Sequence, residues 1–295
     1  MKYAYYPGCS LSESAREYDV ATRKVLSALD VETLEIPDWT CCGASAVESI
    51  SKLLTYSLPA RNLSLAQREL PGLDVLVPCS ACYLNLLRVN EESVRDRELS
   101  EKIGQVLEVE GLSYDGGVTV RHLLDVLVND VGEEAVGGAV SRKLQGLRVA
   151  PYYGCQILRP YARFDDPERP VSMEPLITRT GAEVHTWNMG GKCCGASLMT
   201  TKKEVAMHSV SRILGAARGA DVIVTVCPMC QMNLEAFQKQ AMRGLEQHDP
   251  ISVLYLPQLL GLSMGLRPDD LLLHKNMVVT DAFTHKLDHP VTEEA

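Results

Sequence analysis

The chain has 295 residues and a net charge of −9, with 46% hydrophobic and 23% charged residues. That is enough apolar material for two domains or one large one, and it excludes a disordered chain. Lys and Arg number 29 against 38 Asp and Glu, which excludes a general basic surface for nucleic acid.

The N-terminal stretch MKYAYYPGCS lacks the apolar core of a signal peptide, so a cytoplasmic setting is expected. Residues 2–6 are short, aromatic and bounded by Pro7-Gly8, which predicts a strand. Val20, Val25, Leu26 and Leu29 give residues 14–29 a helical spacing. Residues 33–36 read as a strand, and Cys41-Cys42-Gly43 opens a helix expected over 44–69. A buried strand over 74–77 ends at Pro78-Cys79, and a helix follows from Cys82. A strand over 118–120 and a helix over 122–128 close the first half.

The second half repeats the series, with a strand over 148–153, a helix over 173–180 and a strand over 183–186. After the loop 190–195 come a helix over 197–218, a strand over 221–226 and a helix over 230–242. A strand over 253–255 and a helix over 258–264 finish it. The uncharged run 251–266 is shorter than the roughly 20 residues of a membrane helix. It is also broken by Pro257, Gly261 and Gly265, so no transmembrane segment is expected. Alternating strands and helices imply an α/β fold of two similar, pseudo-twofold-related halves, each a short, mostly parallel sheet flanked by helices. The expected domains are 1–130 and 148–266, a linker at 131–147 and a polar, acidic tail at 267–295 that rests on the surface or on a partner.

The ten cysteines fall into one pattern twice. Cys9, Cys41, Cys42, Cys79 and Cys82 read as a single Cys, an adjacent pair and a C-x-x-C. Cys155, Cys193, Cys194, Cys227 and Cys230 read the same, with gaps of thirty-odd residues in both sets. The neighbours repeat as well. Tyr5-Tyr6-Pro7-Gly8-Cys9 answers Tyr152-Tyr153-Gly154-Cys155, and Cys41-Cys42-Gly43-Ala44-Ser45 answers Cys193-Cys194-Gly195-Ala196-Ser197. Cys82-x-x-Asn85-Leu86 answers Cys230-x-x-Asn233-Leu234, so the chain is an internal duplication. In each half the three cysteine groups follow three successive strands, and in open α/β sheets ligands sit beyond the strands' carboxyl ends.

A lone cysteine is ordinarily a small buried hydrophobe, but ten such residues would not fall twice into one pattern. Structural zinc takes four ligands, one fewer than each set offers. Adjacent side chains reach one metal atom with difficulty and two metals a few ångströms apart with ease. Five thiols with an adjacent pair therefore point to a polynuclear iron–sulfur cluster, with zinc as the rival occupant. Neither half carries the ferredoxin run of cysteines, and no dinucleotide or P-loop motif is present. Gly8, Gly43, Gly154, Gly190, Gly191 and Gly195 beside the cysteines would let backbone approach a cluster; each is otherwise an ordinary turn glycine.

Outside the cysteines, His185, Lys192 and Arg159 are candidate substrate contacts. His185 is weighed against a satisfied structural histidine. Arg159, Arg163 and Arg169 could meet an anionic thiol, against the reading of a solvated loop. Met229 and Met232 read as fillers of core gaps.

On these motifs the chain resembles the B subunit of heterodisulfide reductase, whose CCG domain occurs twice, and the resemblance covers residues 2–266. It implies one noncubane [4Fe-4S] cluster on Cys9, Cys41, Cys42, Cys79 and Cys82, and another on Cys155, Cys193, Cys194, Cys227 and Cys230. It implies a cytoplasmic oxidoreductase subunit that reduces the mixed disulfide of coenzyme M and coenzyme B by one-electron steps. Its partners would be a ferredoxin-type iron–sulfur protein like the family's C subunit and a flavin iron–sulfur protein like its A subunit. The alternatives are a bacterial complex of the same type acting on another disulfide, thiol or sulfur-carrier persulfide, and a non-catalytic electron-transfer or zinc-scaffold subunit.

Overall fold

Each half centres its sheet on a short, fully buried, mainly apolar run, Val75–Val77 in the first and Val222–Thr225 in the second. The computed structural model describes residues 1–44, 46–243 and 249–289. The first half runs β1 (Lys2–Tyr5), α1 (Gly8–Ser12), α2 (Arg16–Ala28), β2 (Glu32–Glu35), α3 (Lys52–Glu69), β3 (Val75–Val77), α4 (Ser80–Ser93), α5 (Arg97–Glu108) and β4 (Val120–His122). It continues through α6 (Leu123–Asp125), a π-helical stretch over Val126–Val131 and α7 (Glu133–Gly138). The second half runs β5 (Arg148–Tyr152), α8 (Met173–Arg179), β6 (Glu183–Val184), α9 (Lys203–Ala216), β7 (Val222–Thr225), α10 (Pro228–Ala236), α11 (Gln238–Ala241), β8 (Ser252–Tyr255) and α12 (Leu256–Ser263). The described chain closes with α13 (Asp281–Asp288).

Both sheets are parallel and four-stranded, in the orders β2-β1-β3-β4 and β6-β5-β7-β8. Val75 pairs with Ala4 on one side and Val120 on the other, and Val222 pairs with Val149 and Ser252 in the same way. β3 and β7 are buried along their whole length, as strands covered by helices on both faces must be. From β1 the chain first moves to β2 and then back past β1 to β3, so a topological switch point lies between β1 and β3, and likewise between β5 and β7. That is where the carboxyl ends of strands leave a crevice.

The helix expected over 44–69 begins only at Lys52. Gly43 and Ala44 take φ of +84° and +39°, which no helix tolerates. Ser51 then caps α3, accepting from Leu54 N at 3.3 Å. The helix expected over 197–218 begins at Lys203 for a related reason, since Gly195 is left-handed at φ +76° and a 3-10 turn spans Ala196–Leu198. The helix α5 adds to the expected elements. Its Leu99, Ile103 and Leu107 recur every four residues and are buried, and Asp96 caps it through Leu99 N at 3.0 Å.

The halves dock crosswise. α2 of the first half packs on α12 of the second, and α8 of the second packs on α7 of the first. One hydrophobic core therefore runs through both halves, from Tyr5 and Val75 to Leu254 and Leu259, and a smaller core lies between the second sheet and α9. The connection over 131–147 is built in rather than slack, with α7 inside it and Leu144 and Leu147 buried. Residues 267–289 do not merely rest on the surface, as expected of the tail, but anchor themselves in the core. Leu271 and Phe283 are fully buried, and the apolar side chains Leu273 and Leu287 follow them into the core. The end of the expected tail, 290–295, lies outside the described residues.

Candidate metal centre

In the first half the five sulfurs form a continuous file, and in the second they follow the same order with no hydrogen bond between Cys193 and Cys194. In the first, Cys9 and Cys41 lie 3.7 Å apart and Cys42 and Cys82 3.4 Å apart, with Cys41 against Cys42 and Cys79 against Cys82. In the second, Cys194 and Cys230 lie 3.5 Å apart, with Cys155 against Cys193 and Cys227 against Cys230. All ten cysteines are free. Cys9, Cys41 and Cys193 are exposed and Cys155 half-buried, whereas Cys42, Cys79, Cys82, Cys194, Cys227 and Cys230 are buried. Each file thus runs from the surface inward to its C-x-x-C. The adjacent pair Cys41-Cys42 turns its two sulfurs to different neighbours, Cys9 and Cys82.

Repeated neighbours hold these loops in place. Tyr6 Oη donates to Thr40 O at 2.7 Å and Tyr152 Oη to Lys192 O at 2.6 Å, each fixing the carbonyl before a Cys-Cys pair. The structure thus matches Tyr6 to Tyr152 in role. Asn85 Nδ2 donates to Cys42 O and Ala44 O, both at 3.1 Å, and Asn233 Nδ2 to Cys194 O at 2.8 Å. The sequence alone assigns no role to these asparagines or tyrosines, although their recurrence beside the cysteines is visible there. Gly8 and Gly154 are left-handed, at φ +69° and +73°. A Cβ on Gly8 would stand 2.7 Å from Cys82 Sγ, and one on Gly154 3.1 Å from Cys230 Sγ. Cys79 and Cys227 occupy the N-cap positions of α4 and α10.

The electrostatics show that neither file can ionise as a whole. Hydrogen bonds from Cys42 and Cys9 lower Cys41 to about 2, and the bond to Cys41 is the main cause that raises Cys42 to about 12. Cys9 and Cys82 are pushed up, chiefly by their bonds to Cys41 and Cys42. In the second file Cys193 falls to about 6, through Cys155 first and then the Gly195 N–H and the Arg159 charge. Cys227 falls to about 7 through Cys230, while Cys155 and Cys230 are pushed up by Cys193 and Cys194. The raised members, Cys9, Cys42 and Cys82 in one half and Cys155 and Cys230 in the other, hold protons they would shed beside a cation. Gly43 N and Gly195 N also donate to Cys41 Sγ and Cys193 Sγ at 3.4 and 3.3 Å, the kind of N–H···S contact that tunes a thiolate ligand. Among the described residues no three His, Cys, Asp or Glu side chains stand ready around a single metal ion. A row of five thiolate donors fits a polynuclear group better than a closed tetrahedral site.

The inner ends of the two files meet. Tyr18 Oη lies 2.9 Å from Pro78 O and 3.2 Å from Val226 O, the carbonyls that precede Cys79 and Cys227. Ser80 Oγ, beside Cys79, also donates to Val226 O at 3.0 Å.

The other candidates fall in different places. Arg159 comes close enough to help lower Cys193, and its guanidinium also holds Pro167 O and Gly191 O. Lys192 pairs with Glu168 at 3.7 Å. The ring of His185 sits 3.3 Å from Ala216 O at the end of α9, and no hydrogen bond joins it to the cysteines. The reason is its position at the edge of the sheet, directly after β6. Arg163 is paired with Glu91. Met229 packs against the cores as expected, but Met232 is 47% exposed on α10 and fills no gap.

The sequence profile of the cysteine-rich CCG domain matches residues 3–87 and again 149–235. The chain belongs to the CCG cysteine-rich family. This CCG protein is 34% identical to the 8-methylmenaquinol:fumarate reductase membrane anchor subunit of Wolinella succinogenes, over 94% of this chain and 97% of the relative. It is 30% identical to the B subunit of the ferredoxin/F(420)H(2)-dependent CoB-CoM heterodisulfide reductase of Methanosarcina acetivorans, over 97% of each chain. A crystal structure of a hypothetical protein from Helicobacter pylori shares the fold at a TM-score of 0.73 and 17% identity, covering 95% of this CCG chain and 52% of that one. No helix among the described residues is long and apolar enough to cross a membrane.

Proposed function

We propose that this chain is the catalytic iron–sulfur subunit of a heterodisulfide-reductase complex, with one noncubane [4Fe-4S] cluster on each five-cysteine file. The observation that carries this reading is the pair of complete thiol files meeting at Tyr18. Bound clusters would supply one-electron transfers, and cleaving a disulfide to two thiols takes two electrons and two protons. The residues of the chain supply position. Tyr6, Tyr152, Asn85 and Asn233 fix the Cys-Cys loops, and the exposed outer ends at Cys9, Cys41 and Cys193 give access from solvent. Arg159 places positive charge beside Cys193, where an anionic thiol substrate would approach. The substrate in this reading is the mixed disulfide of coenzyme M and coenzyme B. Electrons arrive from a ferredoxin-type iron–sulfur partner and a flavin partner, and ten free thiols suit a cytoplasmic setting.

A second reading is favoured by the Wolinella relative, at 34% identity. There the same clusters would carry electrons within a quinol-linked fumarate reductase.

Anaerobic purification with partner subunits tests both. The first reading expects about eight iron and eight sulfide per chain and viologen-driven cleavage of the mixed disulfide. Zinc in place of iron would overturn both readings. Iron with fumarate reduction and no disulfide cleavage would overturn the first in favour of the second.

A further inference from the structure

The pseudo-twofold relation leaves one groove filled and its counterpart open among the described residues. In the second half the edge strand β8 and helix α10 form a groove that residues 276–280 occupy. Val253 N donates to Val278 O at 3.4 Å, and Asn276 Nδ2 donates to Val253 O at 2.9 Å. Met277 N and Val278 N donate to Glu235 of α10 at 3.0 and 3.2 Å, and the hydroxyls of Ser252 and Thr280 meet at 3.1 Å. The segment lies along the strand edge without forming a regular strand, joined to β8 by one backbone–backbone bond and held otherwise by its own backbone N–H groups and the side chains of Asn276 and Thr280.

The first half has the same parts with no such occupant among the described residues. Beside the edge strand β4 and helix α4 lies a groove of about 700 Å³, lined by Tyr83, Leu87, Asn90, Thr119, Val120 and Arg163 among others. Two matched contacts and a shared helix start anchor the correspondence. Asn90 Nδ2 donates to Val118 O at 2.7 Å, as Gln238 Nε2 does to Ile251 O at 2.7 Å. His122 begins α6 as Tyr255 begins α12. Phe164 of the second half stacks on His122, as Tyr18 of the first half stacks on Tyr255. Val120 therefore stands where Val253 stands. Val75 N donates to Thr119 O at 2.8 Å, and the parallel ladder turns the N–H and C=O of Val120 away from β3 and toward the groove. Among the described residues no other segment bonds to them.

We propose that the groove beside β4 seats an extended segment of a partner subunit, lying along the sheet edge as residues 276–280 lie along β8. Such an edge is a template for strand addition. The charges lining the groove are already matched, Arg163 with Glu91 and Arg121 with Asp125 and Asp130, so the occupant is an uncharged segment that bonds through its backbone. The proposal rests on the reading above only in taking the segment from a partner subunit.

Hydrogen–deuterium exchange of the free chain and of the complex purified with its partners tests it. In the complex the amides of 118–122 should exchange about tenfold or more slowly, while 252–255, already covered, should not change. A photoreactive benzoyl-phenylalanine at Thr119 should form an adduct with one partner segment. Equal exchange at 118–122 in both samples would overturn the proposal, as would an adduct only to a small molecule or to this chain itself. Iron content measured on the same samples separates an empty groove from a failure of the cofactor assignment.

Discussion

Tyr18 lies flat against Tyr255, with ring centroids 4.1 Å apart and the planes parallel, and the two rings come from different halves. Both side chains are fully buried. The stack holds the Tyr18 hydroxyl where it meets the carbonyls before Cys79 and Cys227, so one residue of the first half fixes the inner ends of both thiol files.

Tyr18→Phe keeps the stack and removes that bridge. Leaving buried carbonyls short of a donor costs about 1–3 kcal/mol, partly offset at Val226 O by Ser80. Unfolding monitored by denaturant should show this loss. Electron paramagnetic resonance should change at both clusters, and a change at only one would count against a shared anchor.

Cys42→Ala and Cys194→Ala should each remove one cluster and spare the other, halving the iron. The sulfurs of the two halves form separate files, and a methyl group does not ligate iron. If either variant lost all its iron while its circular dichroism stayed native, the files would not be independent sites.

Gly8→Ala should be more damaging than Gly154→Ala. The new Cβ would come within 2.7 Å of Cys82 Sγ in the first case and 3.1 Å of Cys230 Sγ in the second. Both positions also need positive φ, which costs alanine about 1–2 kcal/mol. Iron analysis should show loss from the first file before the second. Equal iron in both variants and wild type would rule out close approach at these glycines.

Acidification should destabilise the chain through His122. Burial lowers this imidazole to about 4 from an ordinary 6.5, and its Nδ1 accepts from Leu124 N at 3.1 Å, which only a neutral ring can do. The unfolded chain takes up the proton first, so the contribution is fully present above pH 6.5 and is lost as pH falls toward 4. The loss amounts to roughly 3 kcal/mol over that window. Urea unfolding between pH 7 and 5 should show a shallower decline for His122→Gln than for wild type. Parallel declines would assign the acid sensitivity elsewhere.

The duplication, the α/β class and the two sets of five cysteines were legible in sequence, because metal-binding residue types at repeated spacings leave a pattern independent of folding. Strand runs such as Val75–Val77 were legible for a similar reason, since burial on both faces demands an unbroken apolar stretch. Helix starts depart from the sequence pattern where left-handed backbone intervenes, at Gly43-Ala44 and Gly195, because φ is set by loop closure around the cysteines and not by helix propensity. The burial of residues 267–289 was equally hidden, since Leu271 and Phe283 find their partners only across the folded chain. Tertiary structure alone decided that α2 packs on α12 and α8 on α7, that Tyr18 reaches both C-x-x-C loops, and that one of two matching grooves is filled. These are contacts between residues far apart in sequence, and they depend on how two faces fit rather than on any local period.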